Sequence, residues 1–291
     1  MNRRSARPFP YLSRSFIFLK QQICFLLALA AAFLALPSAA WAEGIPVHHL
    51  EGTLHGFLVL SNQQGKVVAV GDLIQVVDAD RVTSHLLFHF RDGSIDEETT
   101  VFTQHDSFKL VSDHHIQKGP FFHQPIEVSI DVPSGEVTIH STGKDGKEDV
   151  KTEHMDLPSD LCNGLINTVA KNIQSDAAET KVTMLVTTPK PRIITLAFSP
   201  IPEAAYTLAG FKRKALGYQI KFELGGIAGV VAPMIGKQPP NLQIWITTGE
   251  LPTFIRETGP TFEDGPVLNM QLAAPVGPIA YAGTSHPPTH H

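Results

Sequence analysis

Apolar and polar residues alternate over most of the chain, and this pattern predicts β-strands. Between residues 52 and 153, runs of five to ten residues are separated by turn signals. The clearest of these signals are Arg91-Asp92-Gly93, Pro133-Ser134-Gly135 and Lys144-Asp145-Gly146. Short strands with polar residues at every second position are typical of antiparallel sheets with one face in water. We therefore expect an antiparallel sheet that folds back on itself repeatedly.

One segment follows the helical period instead. Its apolar residues recur at helical spacing and are Leu161, Leu165, Ile166, Val169, Ala170 and Ile173. Pro158-Ser159-Asp160 supplies a capping sequence in front of them. The pattern predicts a helix over about 159–174 whose apolar stripe lies across the sheet, with Cys162 near its edge.

The β pattern resumes after this helix. We predict strands at 181–188 and 192–198, and we expect Pro200 and Pro202 to break the chain after the second one. The cleanest strand follows, with Leu216, Tyr218, Ile220, Phe222 and Leu224 on its apolar face. A further strand at 241–248 turns Leu242, Ile244 and Ile246 inward and Trp245 outward.

These elements predict a mainly β fold, either a long curved antiparallel sheet or a half-open barrel. One central helix covers part of its concave face. No repeat of fixed period is present, which disfavours a propeller or a solenoid. The β-rich domain is expected to span residues 43–274, with two lobes at 43–178 and 179–274 as the alternative. Residues 275–291 are rich in Pro, Gly and His and are expected to be disordered.

The first 42 residues have the pattern of a secretory signal peptide. A basic leader precedes an apolar run at residues 23–36, and Ala40-Trp41-Ala42 offers small residues at both cleavage positions. We predict cleavage after Ala42 and a soluble periplasmic or extracellular protein; a retained N-terminal anchor is the alternative. The leader holds five of the 23 basic residues and none of the 28 acidic ones. The remainder has 18 basic residues and a formal charge of −10, which argues against nucleic acid as a partner.

Cleavage would leave Cys162 as the only cysteine, so no intramolecular disulfide can form. We interpret Cys162 as a small buried apolar residue, with a reactive thiol as the alternative.

Motifs for common catalytic sites are absent. The chain contains neither Gly-x-Ser-x-Gly nor His-Glu-x-x-His, and the residues around Gly236-Lys237 do not form a phosphate loop. His85 and His89 lie in a predicted strand, about 13 Å apart, which is too far for a shared zinc ion. We therefore assign no catalytic residue, cofactor or metal ligand.

Asp113 and His115 are the most notable polar pair. Two residues apart in a strand, they share a face and could flank an ion or form a carboxylate–imidazole pair. Exposed polar residues at a hairpin end are the alternative interpretation. The acidic run Asp96-Glu97-Glu98 is interpreted as surface charge. His286, His290 and His291 could scavenge metal in the tail, although a solvated tail is the simpler interpretation.

The least ordinary stretch is the glycine-rich run at residues 224–240, which is uncharged as far as Gly236. It is interpreted either as a tight packed bend or as an apolar flap that contacts a ligand, lipid or partner. The candidate binding residues of the flap are Val230, Val231, Met234, Ile235, Lys237 and Gln238.

This part of the chain resembles a family of uncharacterised secreted bacterial proteins. The matching residues are Gly217-Tyr218, Gly225-Gly226-x-Ala228-Gly229, Val231-Ala232-Pro233 and Gly236-Lys237-Gln238-Pro239-Pro240. The family has no assigned activity, so the resemblance implies no catalytic residues. The strand-rich layout is also similar to cell-envelope proteins with a curved antiparallel sheet, including lipoprotein carriers, but fold alone does not give function.

Together these patterns predict a non-enzymatic secreted or periplasmic envelope protein. It would bind an apolar or amphipathic ligand, such as a hydrophobic small molecule or lipid, or an envelope protein partner. Two alternatives stay open. One is a metal-dependent hydrolase that uses Asp113, His115 and a further histidine, and the other is a structural factor in envelope assembly.

Overall fold

The computed structural model describes residues 44–143, 146–174, 176–188, 190–208, 211–225, 240–249 and 251–273. The candidate binding loop, Val230 to Gln238, lies outside these residues, as do the predicted signal peptide and the tail at 275–291. Among the described residues, no helix combines the length and the apolar character needed to cross a membrane.

Fourteen strands and one helix form the described part of the chain. The strands before the helix are β1 (Leu54–Ser61), β2 (Val67–Asp78), β3 (Arg81–Phe90), β4 (Ile95–Gln104), β5 (Phe108–Lys118), β6 (Ile126–Asp131), β7 (Glu136–Thr142) and β8 (Glu148–His154). The helix, α1, is Ile166–Asn172. The strands after it are β9 (Thr180–Val186), β10 (Arg192–Leu208), β11 (Phe211–Glu223), β12 (Leu242–Thr247), β13 (Phe254–Pro260) and β14 (Val267–Leu272).

All fourteen strands belong to one antiparallel sheet. Their order is β8-β7-β6-β5-β4-β3-β2-β1-β14-β13-β12-β11-β10-β9. The chain therefore runs from β1 to one edge of the sheet, crosses at α1 to the other edge, and returns to place β14 beside β1. The predicted lobes at 43–178 and 179–274 contribute strands to this same sheet.

The sheet is strongly curved. One buried cluster contains Phe102 of β4 and Ile130 of β6 together with Leu196 of β10 and Ile244 of β12. Since β3, β2, β1, β14 and β13 lie between β4 and β12 in the sheet, these residues meet only if the sheet curls. Val169 of α1 belongs to the same cluster, so the helix lies on the concave face. The predicted curved antiparallel sheet with one helix is confirmed.

The helix is shorter than the predicted 159–174. It begins at Ile166, and no side chain caps its first turn. Asp160 instead accepts a hydrogen bond from Thr183 Oγ1 at 2.9 Å, and Leu161 pairs with Thr183 in a parallel bridge. The segment in front of the helix therefore lies along β9 and covers that edge of the sheet, which is the usual protection of an exposed edge.

The prediction that Pro200 and Pro202 break the chain is wrong, because β10 continues through both. The pairing of β10 with β9 ends at Phe198, and its pairing with β11 shifts register between Ile201 and Ala204. Both prolines therefore lie where the ladder is one-sided or irregular, which is where strands tolerate proline. The inward face predicted for the strand at 241–248 is confirmed, since Leu242, Ile244 and Ile246 are buried.

Candidate functional site

Polar residues cross the interior of the curved sheet as a layer. We call this set the polar layer, and its members are Asp96, Glu98, Thr100, Asp113, His115, Gln117 and Glu257. The pairing of β4 with β5 sets Asp96 opposite Gln117, Glu98 opposite His115 and Thr100 opposite Asp113. Directly opposed residues share a face of the sheet, so these six side chains line the same wall. Glu257 comes from β13, which forms part of the opposite wall.

Asp96 is the best-partnered carboxyl group of the polar layer. His115 Nε2 lies 2.7 Å from Asp96 Oδ1, and Gln117 Nε2 donates to Asp96 Oδ2 at 3.0 Å. Gln117 Nε2 also donates to the carbonyl oxygen of Thr261, just after β13, at 2.9 Å. This chain of hydrogen bonds connects the two walls across the interior.

Glu98 and Glu257 differ from Asp96, because the carboxyl group of neither makes a hydrogen bond to another described residue. Both are half-buried. Burial raises the pKa of Glu98, His115 opposes that rise, and Asp96 and Glu257 add to it. Burial alone raises the pKa of Glu257 to about 7. Glu257 therefore raises the pKa of Glu98 from the opposite wall, and no described protein group hydrogen-bonds the carboxyl oxygens of either residue.

Asp113 and His115 are tuned by the same surroundings. Burial and the nearby Glu98 raise the pKa of Asp113 to about 7, against the hydrogen bond that Thr100 Oγ1 donates to Asp113 Oδ1 at 2.8 Å. Burial lowers the pKa of His115, but the bond to Asp96 and the neighbouring carboxylates outweigh it and raise the pKa to about 9. At neutral pH, the raised pKa of His115 therefore favours its protonated form, and the raised pKa values of Asp113 and Glu257 let them keep a proton at a higher pH than an ordinary carboxyl group.

The loop in front of α1 lies directly over the Thr100–Asp113 pair. Gly164 in this loop has a φ of +67°, a conformation that favours glycine. A Cβ atom at this position would collide with Thr100 Oγ1 and would come within 2.9 Å of Asp113 Oδ1. Only glycine lets the loop lie this close. Gly164 therefore allows the loop to cover one side of the polar layer.

Apolar clusters lie on both sides of the polar layer. On β4 the inward position after Thr100 is Phe102, which belongs to the larger cluster around α1. Beyond Gln117, four phenylalanine rings pack together, with centroids 4.4 Å apart for Phe90–Phe121 and 5.3 Å apart for Phe122–Phe262. The interior is therefore amphipathic, with ionisable groups between two apolar regions.

The structure brings together some of the residues predicted from sequence. Asp113 and His115 share a face as predicted, but each bonds a different partner on β4. The alternative that they are exposed at a hairpin end is wrong, since Asp113 is only 3% exposed. The interpretation of Asp96-Glu97-Glu98 as surface charge is wrong for Asp96 and Glu98, which face inward.

Glu257 was not singled out from the sequence. Its strand contains Gly259 and Pro260, and its pairing with β12 shifts register between Trp245 and Ile246, which hides the alternation that would mark Glu257 as inward. For Asp96 and Glu98 a signal exists, because they precede the apolar Phe102 at the same parity along β4.

The described histidines and Cys162 have identifiable surroundings in the fold. Within the described ranges, no three His, Cys, Asp or Glu residues are placed to hold one metal ion. His85 and His89 lie in strand β3, as predicted, and His85 Nε2 contacts Glu97 Oε1 at 2.9 Å. Cys162 is buried, and its burial raises the pKa of the thiol, which disfavours a reactive thiolate.

No protein-family model matches the chain, and no curated protein matches it. Among solved structures, the chain is similar to a β-barrel-like protein of a domain of unknown function, DUF1849, from Brucella abortus. The two are 9% identical and align with a TM-score of 0.42 over 77% of this chain and 98% of that one.

Proposed function

We propose that this protein is a binding protein that takes an amphipathic small molecule into the interior of its curved sheet. The polar layer holds the polar head of the ligand, and the apolar clusters beside it contact the hydrocarbon part. The observation that carries this proposal is the pair Glu98 and Glu257, two interior carboxyl groups that lack hydrogen-bond partners among the described residues.

Desolvation of a carboxylate costs free energy, and it raises the pKa values of the half-buried Glu98 and Glu257. Ionisable groups with strongly shifted pKa values concentrate at functional sites, because the site needs them for its ligand. A head group that donates hydrogen bonds or carries a positive charge would offset the cost at both carboxyl groups. We therefore expect a ligand with an amine or similar cationic head.

Decylamine, decanol and decanoate share a chain length and differ in the charge of the head, which makes them suitable probes. Isothermal titration calorimetry on the purified protein at pH 7 should give the order decylamine, then decanol, then decanoate. Replacing both carboxyl groups, as in E98Q/E257Q, should weaken decylamine binding at least tenfold. The control E97Q changes the neighbouring outward carboxyl group and should leave the affinity unchanged.

Thermal melting followed by circular dichroism establishes that each variant is folded. If the double variant does not fold, the single variant E98Q provides the same comparison. Equal affinity for decylamine in the wild type and in the folded Gln variant would contradict the proposal, as would the absence of binding for all three probes.

The proposal includes export to the periplasm or the extracellular space. It is supported by the basic leader, the apolar run and the Ala40-Trp41-Ala42 site. Mass spectrometry of the protein from its native host should give an N-terminus at Glu43. A mature chain that retains residues 1–42 would contradict cleavage.

A further inference from the structure

The outer face of the sheet carries a second group of polar and aromatic residues, on strands β12 to β14. Cross-strand pairing puts Trp245, Arg256 and Gln271 in one row and Gln243, Thr258 and Asn269 in the next. We call these six residues the outer platform. Glu257 lies between Arg256 and Thr258 along β13 and faces the interior, so the outer platform is on the opposite side of the sheet from the polar layer.

The indole of Trp245 lies along the surface of the sheet. Trp245 is opposite Gly217 on β11, and a Cβ atom at residue 217 would come within 3.0 Å of the indole Nε1. The absence of a side chain at Gly217 therefore leaves room for the indole ring. Trp245 is half-buried, and Arg256 Cζ lies 5.7 Å from the ring centroid. This distance is within the roughly 6 Å of a cation–π contact, so the guanidinium and the indole are neighbours on one surface.

Arg256 is held in place by neutral groups. Its Nε donates to Thr258 Oγ1 at 3.2 Å, and its Nη2 donates to Asn269 Oδ1 at 2.5 Å. Thr258 Oγ1 also donates to Asn269 Oδ1 at 2.8 Å, which fixes both acceptors. A guanidinium has five N–H donors, so three stay available. Among the described residues, no carboxylate pairs with Arg256, although the chain as a whole is acidic.

We propose that the outer platform binds an acidic saccharide. A positioned guanidinium with free donors is complementary to a carboxylate, which it can bind through two parallel hydrogen bonds. The indole presents a flat apolar surface to one face of a sugar ring. The amides of Gln243 and Gln271 each donate and accept, as the recognition of hydroxyl groups requires. A compact phosphate would use Arg256 but not the indole, and this is why the whole platform favours a sugar acid.

Trp245 also provides the signal for a test. The chain has two tryptophans, Trp41 and Trp245, so a protein of residues 43–291 reports only on the outer platform. Trigalacturonate should change the Trp245 emission in a saturable manner, and the neutral trisaccharide galactotriose should bind at least tenfold more weakly. Calorimetry on the same samples should give the same affinities.

Variants of the platform locate the binding. R256A and W245A should each weaken trigalacturonate binding at least tenfold, as measured by calorimetry. R256K keeps the charge but loses the two-pronged geometry and should give an intermediate loss. R81A removes an exposed arginine at the start of β3 and should leave binding unchanged. If R256A does not fold, R256Q replaces it, because it removes the charge and keeps a polar side chain.

Three outcomes would overturn the proposal. They are no measurable binding of trigalacturonate, an affinity that R256A and W245A leave unchanged, and equal binding of a pentaglutamate peptide, which would assign the surface to carboxylates in general. The wild-type affinity for decylamine is measured separately, so failure here does not affect the proposal for the interior.

Discussion

His115 and His85 both bond a carboxylate on β4, but from opposite faces of the sheet. His115 Nε2 is 2.7 Å from Asp96 Oδ1 on the inner face, and His85 Nε2 is 2.9 Å from Glu97 Oε1 on the outer face. The two acceptors are consecutive residues. The Asp96 side chain is 12% exposed, whereas that of Glu97 is 33% exposed.

The surroundings separate two pairs that are chemically alike. The inner pair lies among Glu98, Asp113 and Glu257. Burial raises the pKa values of all three carboxyl groups, and neighbouring carboxylates raise those of Glu98 and Asp113 further. The outer pair is only half-buried and stays open to solvent, where ion pairs contribute about 0–1 kcal/mol. Position along a strand, rather than residue type, therefore decides which ionisable groups on β4 form part of the candidate site.

The largest effect is expected at the loop that covers the inner face. Gly164→Ala would place a methyl group against Thr100 and Asp113 in a backbone conformation with positive φ. We expect a loss of about 2–4 kcal/mol in the free energy of unfolding, from overpacking together with backbone strain. Urea denaturation measures this loss.

Gly65→Ala is the matched control for that substitution. Gly65 also has a positive φ, of +78°, but a Cβ atom there would meet nothing within 4 Å. The loss in the free energy of unfolding for Gly65→Ala should therefore come from backbone strain alone, about 1–2 kcal/mol. Equal losses at the two glycines would mean that the loop does not press on the polar layer.

The alternation of residues was enough to predict the antiparallel sheet, its curvature and the inward faces of β11 and β12. Composition did not predict the inner site, because Asp96-Glu97-Glu98 is typical of a surface run; only the parity of Asp96 and Glu98 with Phe102 indicates that they face inward. The spacing of two residues was enough to predict that Asp113 and His115 share a face of their strand. Their partners could not be predicted, since the register of β4 against β5 puts Thr100 opposite Asp113, whereas His115 lies opposite Glu98 and bonds Asp96 two residues away along β4.

The helix bounds show the same limit. Leu161 and Leu165 fit the helical period, but Leu161 packs from an extended segment that pairs with β9. Apolar spacing over one or two turns does not distinguish a helix from an extended segment whose side chains enter the same core. Gly164, with its positive φ, is the local feature that separates the two.

The pH dependence of stability is the next effect in size. The pKa of Glu257 is raised from 4.5 to about 7, so the folded protein binds a proton that the unfolded chain has released between these values. A raised carboxyl pKa therefore makes stability fall as the pH rises from about 4.5 to above 7. The pKa of Asp113 is raised from 3.8 to about 7, so this group also makes stability fall as the pH rises through that range. The raised pKa of His115 contributes stability fully below 6.5, and this contribution is lost as the pH rises through about 9.

The variant E257Q separates the contribution of Glu257 from that of all other groups. Because Gln stays neutral, the free energy of unfolding of E257Q should equal that of the wild type near pH 4.5. At pH 8 it should exceed the wild-type value by about 1–3 kcal/mol. Denaturation at both pH values measures the difference. E97Q, on the outer face, is the matched control for removing a carboxyl group as such. An E257Q protein that follows the wild type over the whole range would mean that Glu257 is solvated like an outer residue.

Removing the two histidines tests the difference between the faces directly, and the smallest effect is expected at His85. His115→Ala takes one hydrogen-bond partner from the largely buried Asp96 and should lower the free energy of unfolding by about 1–3 kcal/mol at pH 6. His85→Ala removes a pair of similar geometry from the outer face and should lower it by about 0–1 kcal/mol. Raising the salt concentration to 1 M should reduce the small His85 effect further, because exposed pairs are screened, and should leave most of the His115 effect. If the two substitutions lowered the free energy of unfolding equally and with the same salt dependence, the inner pair would be as hydrated as the outer one. The polar layer would then not be a distinct environment.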